Sequence, residues 1–150
     1  MLAGMATLAA GVRGSEHADR LLRRLLFSAI ALSVVHYGDN WINFDRYPTG
    51  DTGPQPTQDS IWIAWILFTA AGVAGYVLYT RRRRLVLASL LIAYYSLSGL
   101  ISLGHYTAPG MSRLAWWRHV FIWVDIALGA AILAFALWSV ANRDRLAEPG

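Results

Sequence analysis

Apolar residues along this chain gather into four long runs, 25–44, 61–79, 85–103 and 120–140, separated by short stretches rich in Arg, Pro, Gly and Asp. A helix of about 20 such residues crosses the roughly 30 Å hydrocarbon core of a bilayer. The pattern therefore predicts spans over 25–44, 61–80, 85–104 and 116–141, with tails at 1–24 and 142–150. The expected fold class is all-α: a polytopic membrane protein with four transmembrane helices in an antiparallel bundle. A soluble four-helix bundle would carry a charged face along every helix, and these runs do not.

The polar residues inside the runs carry the functional information. Asp125 is the one charge within 120–140, and hydrocarbon tolerates a carboxylate only where the protein pairs it. In the first run His36, Asp39, Asn40 and Asn43 are spaced by three, four and seven residues, which places them on one helix face. Tyr94, Ser98 and His105 fall on one stripe of the third span by the same arithmetic, with Tyr95 and Ser102 beside it. In the fourth span Arg118 and Asp125 are seven residues apart and nearly eclipsed, with His119 on a neighbouring face. The second span offers only Thr69 and two small residues, Gly72 and Gly75, that suit close helix packing.

These positions predict one polar pocket in the outer half, built by helices one, three and four. Asp125, His36, Asp39 and His105 are its candidate catalytic groups. Asn40, Asn43, Tyr94, Ser98, Arg118, His119 and Trp123 are its candidate ligand-binding residues. The competing expectation is a buried network fixing helix register, for example Arg118 with Asp125 or His36 with Asp39.

Orientation comes from the Arg residues. Ten of the thirteen basic residues, all Arg, lie at 13–24, 81–84 and 143–145, so the positive-inside rule puts both termini in the cytoplasm of a plasma-membrane protein. Trp41, Trp62, Trp65, Tyr106, Trp116 and Trp117 then fall near the outer interface, with Tyr76, Tyr79 and Trp138 near the inner one. The net charge of +4 reflects this topogenic Arg and not a nucleic-acid surface. The apolar stretch 5–12 has no preceding basic residue and reads as part of an ordered or frayed tail, not a cleavable signal, with Met5 an alternative start. The loop 45–60 is a structured turn or short lid, or a plain connector. His36-Tyr37 and His105-Tyr106 hint at a two-plus-two repeat.

The 150 residues leave room for one compact domain, and the absence of cysteine excludes disulfides, Cys-ligated metal and iron–sulfur clusters. No cofactor is firmly implied. His36, His105, His119 and Asp125 are the candidate ligands for zinc, iron or copper, and His36 with His105 or His119 the candidate haem pair. Three functions remain open. The first is acid–base chemistry on an apolar or amphipathic small molecule such as a lipid, isoprenoid, sterol or quinone. The second is a non-enzymatic carrier or accessory subunit, in a homo-oligomer or a larger membrane complex. The third is a metal- or haem-binding membrane protein.

Overall fold

The structure is a computed structural model that describes residues 2–48, 56–81 and 84–147, with side chains from residue 15 to residue 146. Arg82, Arg83, the loop residues Gly50, Asp51, Gly53 and Pro54, and the side chains of 5–13 lie outside the described residues. All regular structure among the described residues is helical.

Helix α1 covers Leu2–Ile42. No proline interrupts this sequence, and the helix ends where Asn43 turns the chain into a short 3₁₀ segment, Phe44–Arg46. The first span is thus the distal part of a longer helix, Ser15–Ile42. Helix α2, Gln58–Thr80, opens with a capping box: Ser60 N–H donates to Thr57 Oγ1 at 3.2 Å and Thr57 N–H to Ser60 Oγ at 2.9 Å. Helix α3, Leu85–Leu100, tightens into a 3₁₀ segment over Ile101–Thr107. Helix α4 covers Trp116–Ala141, and a short α5, Arg143–Ala147, follows it. Four helical stretches, Ser15–Ile42, Gln58–Thr80, Leu85–Thr107 and Trp116–Ala141, are long and apolar enough to cross a membrane.

The four pack as a ring in chain order. Helix α3 lies closely against α2 and α4, α1 leans on α2 and α4, and the α1 and α3 backbones are diagonal to each other. Helices one and three approach each other at only a few positions across this diagonal, and their contact there is made largely by side chains. Leu146 of α5 joins Leu22 and Tyr79 in the core, so both termini lie at one end of the bundle. The α1–α2 and α3–α4 connections lie at the other.

Glycine sets the tightest crossings. A Cβ on Gly99 would collide with the Asp125 carbonyl oxygen, and one on Gly129 would lie 2.8 Å from the Ser96 carbonyl. Helices α3 and α4 thus cross backbone to backbone, one turn from Asp125. Gly72 and Gly75 make room on α2 for Tyr95 and Ile92 of α3, whose atoms would come within 2.8 and 2.9 Å of an added Cβ.

Candidate functional site

The buried stripe of α4 runs through Arg118, Ile122, Asp125, Gly129 and Ile132, the three- and four-residue spacing of one helix face. On α1 the matching stripe is Leu22, Leu26, Ala29, Ser33, His36 and Asn40. Where these stripes meet near the loop end, His36 and Asp125 form a buried pair. They are 1% and 2% exposed, with His36 Nδ1 3.0 Å from Asp125 Oδ2. The same carboxylate oxygen accepts a hydrogen bond from the Ser102 hydroxyl at 3.0 Å. Ser102 belongs to the 3₁₀ end of the third span, where residues i and i+3 eclipse, so His105 follows it on the same side. The His105 ring centroid lies 5.8 Å from that of His36.

His36 Nδ1 is engaged by Asp125, whereas His36 Nε2 is buried with no hydrogen-bond partner among the described residues. A carboxylate on one ring nitrogen fixes the orientation of the imidazole and leaves the other as its open position. The next residue, Tyr37, reaches across the diagonal and donates its hydroxyl to the Ser98 carbonyl at 3.1 Å. Helices α1, α3 and α4 therefore share polar bonds at one depth.

A second cluster closes the loop end. Arg118 makes a two-pronged contact with Asp39, Nε to Oδ2 at 2.7 Å and Nη2 to Oδ1 at 3.1 Å. Asn43 donates to Asp39 Oδ1 at 2.8 Å and the Tyr47 hydroxyl to Oδ2 at 2.5 Å. The guanidinium also lies over the rings of Trp117 and Tyr47, 4.6 and 5.3 Å from their centroids. Tyr47 is buried although it belongs to the α1–α2 connection, and its ring stands 5.4 Å from that of His105. Burial, reinforced by the Asp39 carboxylate, raises the Tyr47 phenol above its ordinary pKa.

The pairs given as examples of a register-fixing network, Arg118 with Asp125 and His36 with Asp39, do not form: Arg118 takes Asp39 and His36 takes Asp125. Along α1 the two partners are three residues apart, about 4.5 Å of rise, while along α4 they are seven apart, about 10 Å. The long Arg118 side chain takes up the difference. Asn40 is buried on the same face of α1 and Ser98 contributes its carbonyl.

Three of the expected lining residues lie elsewhere. Tyr94 is 45% exposed and packs on Phe68, with ring centroids 5.1 Å apart. Trp123 is 55% exposed and packs on Tyr106 at 5.3 Å. His119 is bonded to the Tyr106 hydroxyl through Nδ1 at 3.0 Å and not to the His36 cluster. The buried face of α3 is centred on Tyr95, Gly99 and Ser102, which rotates Tyr94 to its edge. Of the four candidate metal ligands, His36, His105 and Asp125 approach one another. Among the described residues, however, no three His, Asp or Glu side chains are arranged to hold a metal ion.

Nothing in the pattern singles out Tyr47, which sits in a loop without periodicity, and α-helical spacing beyond Leu100 puts Ser102 beside the polar stripe and not on it. No family model, curated protein or solved structure matches this chain.

Proposed function

We propose that this multi-pass membrane protein uses the His36–Asp125 pair as an acid–base group acting on an apolar or amphipathic small molecule, with His105 and Ser102 beside it. The observation that carries the reading is the buried His36 ring, bonded on Nδ1 and without a protein partner on Nε2. Buried hydroxyls of Thr69, Ser89 and Ser139 also go without a partner among the described residues. His36 differs from them in being an ionisable ring held by a carboxylate, the kind of group that is expensive inside a membrane and retained for a task. A proton can enter or leave at Nε2 while Nδ1 stays on the carboxylate. The Asp39–Arg118 pair, already neutralised and tied to Asn43 and Tyr47, serves instead to join α1 to α4 above the site.

The membrane is proposed to be the plasma membrane, with both termini cytoplasmic and the site in the outer leaflet. Cysteine at exposed Ser112 should then react with an impermeant thiol reagent on intact cells, and cysteine at exposed Arg81 should not. The reverse labelling would move the site to the cytoplasmic leaflet. For the chemistry, organic extracts of the purified protein should contain a small molecule that His36→Gln loses while keeping the wild-type melting profile. Identical extracts from both proteins would contradict the reading.

A second reading, an accessory subunit of a larger complex, draws on α2. Its Ile63, Ile66, Leu67 and Val73 are exposed, a face that lipid or a partner helix can cover.

A further inference from the structure

At the end of the bundle that holds the termini, a cleft of about 160 Å³ opens between α1 and α2, lined by Arg23, Leu26, Phe27, Ile30, Val73 and Tyr76. On α1 the lining residues are spaced by three, four and seven, so they form one stripe that runs about 10 Å along the helix. Leu26 is buried and forms the floor, while Phe27 and Val73, 75% and 49% exposed, form the sides. The cleft therefore faces the surrounding lipid.

Its two ends differ chemically. Leu26, Phe27, Ile30 and Val73 make an apolar trough, and Arg23 and Tyr76 stand at the end nearer the membrane surface, where the Arg23 guanidinium is at the rim. Arg20, one turn away, is engaged with Glu16 at 3.6 Å and does not line the cleft, whereas Arg23 does. A helix about 10 Å across is too wide for so small a trough, whereas a single acyl chain is not. Arg24, Arg81 and Arg84 lie at the same end of the bundle, and concentrated Arg beside a membrane surface attracts anionic headgroups.

We propose that this cleft binds an anionic glycerophospholipid, with its phosphate on Arg23 and one acyl chain along Leu26, Phe27, Ile30 and Val73. The site is separate from the His36–Asp125 pair and does not rest on any chemistry proposed there. It differs from a general coat of lipid in being selective for headgroup charge and dependent on the shape of the trough.

The test is native mass spectrometry of the intact protein released from nanodiscs of equal phosphatidylglycerol and phosphatidylcholine. The wild type should retain phosphatidylglycerol in preference. Arg23→Gln, an exposed substitution that leaves the fold alone, should lower that retention roughly fivefold, the size expected for one basic residue at a membrane surface. Arg24→Gln, outside the cleft, should lower it clearly less than Arg23→Gln does. Val73→Trp should fill the trough and displace the lipid without changing charge. Equal retention of both lipids would overturn the proposal. So would an equal loss from Arg23→Gln and Arg24→Gln, the mark of a diffuse basic surface, or full retention in a folded Val73→Trp protein.

Discussion

The half of the bundle nearest the termini is held by apolar packing, with Leu22, Tyr79, Ile92 and Ile132 buried completely. The half nearest the α1–α2 and α3–α4 connections is held by polar contacts between His36 and Asp125, Asp39 and Arg118, and Tyr37 and the Ser98 carbonyl. The same four helices run through both halves, so the difference is one of residue choice and not of architecture. Apolar packing is a sufficient means of holding membrane helices together. Buried hydroxyls occur in both halves, Ser89 and Ser139 among them, but the buried His and Asp side chains lie in the polar half among the described residues, and that contrast favours a task for it.

The Gly99–Gly129 crossing joins the two halves, and breaking it should have the largest effect. Gly99→Leu should prevent assembly of a folded protein, measured as loss of the monodisperse peak in mild detergent, because its Cβ meets the Asp125 backbone. Gly104→Ala, where an added Cβ meets nothing within 4 Å, should behave as wild type. Next in size, Asp39→Ala should destabilise the polar half by about 3 kcal/mol in reversible unfolding by denaturing detergent, since it leaves the Arg118 guanidinium buried and unpaired. Arg118→Met in the same chain should recover part of that loss. An Asp39→Ala protein as stable as the wild type would show that the Asp39–Arg118 pair does not hold the polar half together.

Ile132→Ala should cost about 2 to 4 kcal/mol by opening a cavity in the apolar half, yet leave the His36 environment unchanged. Asp125→Asn should do the opposite, changing stability little while altering His36, because Asn keeps hydrogen-bonding capacity but not the carboxylate. If Ile132→Ala disturbed the His36 signals as much as Asp125→Asn does, the two halves would not be separable. The smallest effect should come from Trp65→Phe, which removes the 3.0 Å bond from the indole N–H to Ser33 Oγ. Such a bond is worth about 0.6 kcal/mol between membrane helices.

The four helices were legible in the sequence because length and apolarity alone define a span. The meeting of His36 with Asp125 was legible as well, since helical spacing and the cost of a lone carboxylate point to a shared depth. Which carboxylate meets which cation was not, because side-chain reach decides it and the pattern records only backbone positions. Tyr94 and His119 were misplaced for a related reason. Spacing gives a stripe but not which stripe faces inward, and on α3 that is decided by Gly99 packing against Gly129. The shift to 3₁₀ geometry at Ile101, which brings Ser102 onto Asp125, leaves no mark in an apolar run.

His36 is held through Nδ1 by Asp125, with Nε2 as its open position. Nitrogen-15 NMR of histidine-labelled protein in bicelles reads both nitrogens directly. The His36 Nδ1 proton should be shifted strongly downfield by its hydrogen bond and lost in Asp125→Ala, with an Nε2 signal free of such a shift. A His36 Nδ1 signal indifferent to Asp125→Ala, or a hydrogen-bonded Nε2, would contradict this arrangement.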